Sequence, residues 1–124
     1  MAVAGIDHVN IRTTDPERSA RFYERALGLT YRLGPVVMGN QAHWLFDDEG
    51  NPIIHLRMKQ PEGSNTGSID HVALRCDNRP AMKARLDDAG IKYAEADHIS
   101  PGVAQIFLLD PHGVPLELTF VEPE

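Results

Sequence analysis

At 124 residues, the chain has room for one domain with a modest core, too little for two independent ones. Hydrophobic residues at 42% and charged residues at 24% fit a soluble globular protein, and a net charge of -6, with lysines and arginines scattered among acids, argues against nucleic acid or an anionic membrane as a partner. The longest apolar runs fall far short of the roughly 20 residues that cross a bilayer, the start MAVAGIDHV has no basic stretch leading into an apolar one, and Cys76 is alone, so the expectation is a cytoplasmic protein without an internal disulfide.

In chain order, the first element is a strand over residues 5–12. Side chains alternate along a strand, so His8, Asn10 and Arg12 share one face and Val9 and Ile11 the other. A helix follows. Thr14 and Glu17 stand at capping-box spacing, Pro16 suits the first turn, and Gly28 is the expected stop. Strands are expected over 30–35, 41–47 and 52–58. His43 and Trp44 begin the third strand, where His43 is a candidate pocket residue and Trp44 reads as packing. On the fourth strand, His55 and Arg57 are the polar residues among Ile54, Leu56 and Met58.

The segment KQPEGSNTGS, residues 59–68, is rich in Gly, Ser, Pro and Asn and marks a linker over 59–67. The pattern then starts again, because IDHV at 69–72 repeats IDHV at 6–9. A strand over 69–75 sets His71, Ala73 and Arg75 on one face. Asn78 and Pro80 form a weaker helix start, Gly90 a stop, and strands follow over 92–95, 104–109 and 115–121. With Asp48 laid on Asp110, HWLFDDEGNPIIHL matches QIFLLDPHGVPLEL without a gap, and His55 falls on Glu117, 62 positions on. The chain is thus one domain of two modules, about 4–58 and 68–121, each reading strand, helix, then two or three strands. The fold class is α+β, with a curved sheet built twice.

The repeat also isolates the chemistry. His8 and His71 hold the same place in the first strand of each module, and His55 and Glu117 the same place in the last. A lone histidine on a strand is ordinarily a surface or core residue. Three imidazoles and a carboxylate at four repeat-equivalent points instead make a metal-ligand set. Cys76 reads as a small buried hydrophobe, and His98 and His112 lie in turn-like contexts.

The opening IDHV, the helix DPERSARFYERALGL, the second opening HVALRCDN and the closing FLLDPHGVPLEL resemble the vicinal oxygen chelate superfamily, which includes glyoxalase I, extradiol dioxygenases, methylmalonyl-CoA epimerase and the fosfomycin and bleomycin resistance proteins. The resemblance implies a pair of βαβββ modules with cupped mixed sheets and one divalent ion per site, whether Zn, Ni, Fe, Mn or Co. It also implies a homodimer with shared sites, in which His8 and His55 of one chain meet His71 and Glu117 of the other. The implied substrate is a small molecule with two adjacent oxygens. Glu117 would then be ligand and base, and His55 a ligand or a second proton carrier. Arg12 stands where a bacterial glyoxalase I places an arginine for the glutathione carboxylate, and Asn10, Arg57, His43 and Phe107 are further candidate substrate contacts. A glyoxalase-like lyase or isomerase is the favoured reaction. One alternative is extradiol ring cleavage, whose signature the stretch from His98 through Asp110 to Glu117 matches in spacing, with Phe107 in place of a tyrosine. The other is a metal-free binder that sequesters an antibiotic.

Overall fold

A computed structural model describes residues 5–60, 69, 71–100 and 102–122. Asp70, and residues 61–67 of the expected linker, lie outside these. Among the described residues the order is β1 (Val9–Thr13), α1 (Pro16–Leu27), β2 (Thr30–Val37), β3 (Asn40–Phe46), β4 (Pro52–Met58), β5 (Val72–Cys76), α2 (Arg79–Asp88), β6 (Ala94–Ser100), β7 (Val103–Leu109) and β8 (Pro115–Val121). The chain divides into two compact units, Met1–Pro61 and Glu62–Glu124.

Each unit holds one mixed four-stranded sheet, ordered β1-β4-β3-β2 in the first and β5-β8-β7-β6 in the second. In unit 1 the helix carries the chain from β1 to the far edge, where β2, β3 and β4 fold back antiparallel until β4 docks parallel on β1. Unit 2 repeats this, with β5 parallel to β8. The α+β, twice-built architecture therefore stands.

The first core is Ile11, Ala20, Tyr23, Ala26, Leu45, Ile54 and Leu56, and the second is Leu86, Ala104, Ile106, Leu108, Leu116, Leu118 and Phe120. Helix α1 reaches its core because Pro16, Ser19, Ala20, Tyr23 and Ala26 fall on one stripe at helical spacing. The buried Ser19 and Thr13 hydroxyls satisfy each other at 2.8 Å. Helix α2 buries Leu86 alone of its residues.

Several boundaries differ from the sequence expectation. Strands β1 and β5 start at Val9 and Val72, so His8 and His71 stand immediately before them. Strand β2 continues past Pro35 through a register shift, consistent with a residue that has no N–H for the ladder. Strand β6 runs from Ala94 to Ser100, so His98 is a strand residue and not a turn residue. The cap of α1 is Asp15, not Thr14. The Thr13 hydroxyl accepts the Asp15 N–H at 3.1 Å, and the Asp15 carboxylate accepts the Arg18 N–H at 3.1 Å. Asp15→Ala should therefore cost about 1 kcal/mol in urea unfolding, while Thr14→Ala leaves the midpoint nearly unchanged. The reverse order would return the cap to Thr14. At the other end Gly28 adopts φ 72°, the left-handed geometry a helix-ending glycine supplies, and its N–H reaches the Glu24 carbonyl at 3.0 Å.

The repeat itself needs one correction. Asp110 organises the β7–β8 turn by accepting the His112 and Val114 N–H groups at 2.8 and 2.9 Å. In unit 1 the residue that does this is Asp47, which accepts from Glu49 and Asn51 at 3.0 and 2.8 Å, and not Asp48. The gapless match therefore fails at the turn. A bulge absorbs the extra residue: Leu45 pairs with Ile54 but Phe46 with Pro52, so Ile53 has no partner on β3. Beyond Ile53 the two last strands are in step again, and His55 does correspond to Glu117.

Candidate metal centre

In unit 1 the polar face of the sheet is set by alternation. Ile11 and Thr13 are buried and Asn10 and Arg12 exposed, while His55 lies between the buried Ile54 and Leu56 and Arg57 is exposed. The strand registers put Asn10 beside His55, His55 beside Trp44, and Trp44 beside Arg32, one row across all four strands. Imidazole and indole rings stack along that row. The His8 and His55 rings lie 3.7 Å apart and 10° from parallel, and the His55 and Trp44 rings 4.9 Å apart at 24°. Arg32 stands over the Phe46 ring, 5.8 Å from its centroid.

The His55 Nε2 is buried without a hydrogen-bond partner. Burial, and then the neighbouring His8, hold the His55 pKa below the usual histidine value, against the pull of the Pro52 backbone and Asp7. His8 is oriented by Asp7, whose carboxylate lies 2.7 Å from His8 Nδ1. A carboxylate or carbonyl on the far nitrogen is how proteins orient histidines that bind metals.

His43, expected at the pocket, is on the other face. It pairs with Leu33 and Leu56, and its Nδ1 lies 2.6 Å from the Tyr31 hydroxyl. That hydroxyl is held above the usual tyrosine pKa by burial first and then by Glu17 and Glu24. Trp44, one residue on, occupies the face that carries His55 instead. Counting back from the Asp47 turn rather than from Asp48 makes Trp44 the counterpart of Phe107.

In unit 2, Glu117 stands between the buried Leu116 and Leu118, in register with Ala73 on one side and Phe107 on the other. His71 Nε2 lies 3.6 Å from Glu117 Oε2, with the carboxylate side chain 18% exposed and the imidazole 43%. Both border an open depression of about 380 Å³, walled also by Phe107, Leu109 and Pro115. Arg75 shares this face through its register with Thr119. Cys76 is half-buried, and burial, then Asp77, pushes its thiol up to about 11, leaving it protonated and unreactive at neutral pH.

Among the described residues no three His, Cys, Asp or Glu side chains gather around one point. The candidate donors come as two pairs, His8 with His55 in one unit and His71 with Glu117 in the other. The buried, unpartnered Nε2 of His55 fits a divalent ion, which would remove the cost of an unpaired polar atom. No helix among the described residues is long and apolar enough to cross a membrane.

Solved structures share the fold. A glyoxalase family protein from Bacillus anthracis superposes with a TM-score of 0.79 at 24% identity, over 98% of both chains. The fosfomycin resistance protein FosX from Listeria monocytogenes gives 0.73 at 12% identity, over 95% of this chain and 93% of its own. TnmS3, an antibiotic binding protein from Streptomyces sp. CB03234, gives 0.73 at 22% identity, over 98% of this chain and 99% of its own. A comparison with curated proteins finds no match. The family model of the Glyoxalase/Bleomycin resistance protein/Dioxygenase superfamily matches residues 5–118, and the chain belongs to that superfamily.

Proposed function

We propose that the protein is a divalent-metal enzyme acting on a small molecule with two adjacent oxygens, as a glyoxalase-like lyase or isomerase, with His8, His55, His71 and Glu117 as the donors to the ion. The observation that carries this reading is the His55 imidazole, stacked on His8 and left with a buried, unpartnered Nε2. The centre takes the His8–His55 pair from one chain and the His71–Glu117 pair from another, so the active unit is a homodimer.

When bound, the ion supplies Lewis-acid polarisation of the substrate oxygens, which acidifies the neighbouring C–H. Glu117 is the carboxylate of the set and takes that proton on Oε1 or Oε2. His71 Nε2 stands 3.6 Å from that carboxylate, on the same side of the proposed centre. Arg12, Arg57 and Asn10, on the polar face of sheet 1, bind the polar end of the substrate, and Phe107 shields its apolar side.

Elemental analysis of untagged protein purified anaerobically without chelator should find about one ion of Ni, Zn, Mn or Co per chain. Protein that carries no metal and takes none up on titration would overturn the reading. That result would favour the second one, a metal-free cup for a small molecule. The stacked His8, His55 and Trp44 rings support such a cup, as does likeness to a protein described as antibiotic binding. Iron in the preparation would favour ring-cleaving dioxygenation, although Phe107 brings no hydroxyl to the register position beside Glu117.

A further inference from the structure

Resting on the metal reading above, we infer that Trp44 and Gly34 are positioning residues for His55: the missing side chain at Gly34 lets the Trp44 indole lean over β2, and the indole fixes the imidazole with its Nε2 free. Strand β4 lies between β1 and β3, so His8 and Trp44 press on opposite faces of the His55 ring. The ring is thus clamped between two aromatic faces while its Nε2 stays buried and unpartnered.

Gly34 is the support for this arrangement. A Cβ built there would come within 2.9 Å of Trp44 Cε2, 3.0 Å of Trp44 Cδ2 and 3.0 Å of Ala42 Cβ, closer than side chains pack. Its backbone has no left-handed φ that would itself demand glycine. Space for the indole, and beside it for the Ala42 methyl, is therefore what the glycine supplies. Trp44 is the only tryptophan in the chain.

The test begins on metal-free protein, with ¹⁵N NMR of the histidine side chains. Wild type and Trp44→Phe should show His55 as a single tautomer, while Gly34→Ala and Trp44→Ala should show averaged nitrogen shifts. Calorimetric titration with Ni²⁺ should then show affinity lowered about 10- to 100-fold in Gly34→Ala and Trp44→Ala, as when a partner that orients a metal-binding histidine is lost, and near wild type in Trp44→Phe. Gly34→Ala acts chiefly through the indole, so its effect should shrink in a Trp44→Ala background, where only the Ala42 contact remains. If Trp44→Ala does not fold, Trp44→Leu keeps apolar bulk without a flat ring and replaces it. An unchanged His55 tautomer in these variants, or additive losses in the double variant, would overturn the inference. If the tautomer responds but wild type binds no metal, the positioning role stands and the metal reading fails.

Discussion

Glu117→Gln is expected to leave the fold intact and to abolish both tight metal binding and turnover. The substitution keeps volume and shape in a side chain flanked by the buried Leu116 and Leu118, so it opens no cavity. The contact with His71 is lost, but that imidazole is 43% exposed, and even a charged pair so solvated contributes about 1 kcal/mol or less. The chemistry changes far more. An amide neither carries the negative charge that offsets a divalent ion nor accepts a proton, so affinity should fall by more than the roughly 10- to 100-fold that follows loss of a residue orienting a ligand. Calorimetric metal titration beside urea unfolding separates the two effects. A variant with wild-type affinity and wild-type turnover would remove Glu117 from the centre.

Phe120→Ala should have the largest effect on stability. The ring is 1% exposed at the end of β8, in register with Cys76 on β5 and Ala104 on β7, and these small neighbours cannot collapse into the space it leaves. Truncating a buried aromatic costs about 3–5 kcal/mol, a large share of the roughly 5–15 kcal/mol that holds a domain folded. The thermal midpoint should drop by roughly 10–25 °C. Thr119→Ala, one residue earlier and on the other face, should change stability by less than about 0.5 kcal/mol. Similar losses at both positions in thermal and urea unfolding would contradict the alternation on which the placement of Glu117 depends.

That alternation was the legible part of the sequence. On β4 and β8 each polar residue sits between apolar ones, and burial of one sheet face leaves no other way to fold them. His55 and Glu117 could be named for that reason, and His8 and His71 from the repeated IDHV. The positions that were misplaced depend on interactions no pattern carries. Thr14 and Asp15 are both good caps, and the choice fell to a hydroxyl two residues earlier. Asp47 and Asp48 are adjacent and identical, so only the turn hydrogen bonds distinguish them. His43 and Trp44 are adjacent in the same way, and a single step moves a strand residue to the opposite face, so the ring that faces His55 is the one read as packing. Gly34 gave no signal at all, because its role is set by a ring on the next strand.

Ile53 makes parity a property of this strand. A strand has two sides, so an odd change in length between the Asp47 turn and His55 swaps donor and core positions unless a second odd change follows. Unit 2 meets this with no extra residue and unit 1 with one that is set aside in a bulge. Relatives of this chain should therefore vary here in compensated steps, and a lone insertion between Asn51 and His55 should silence the site while the hairpin itself still forms.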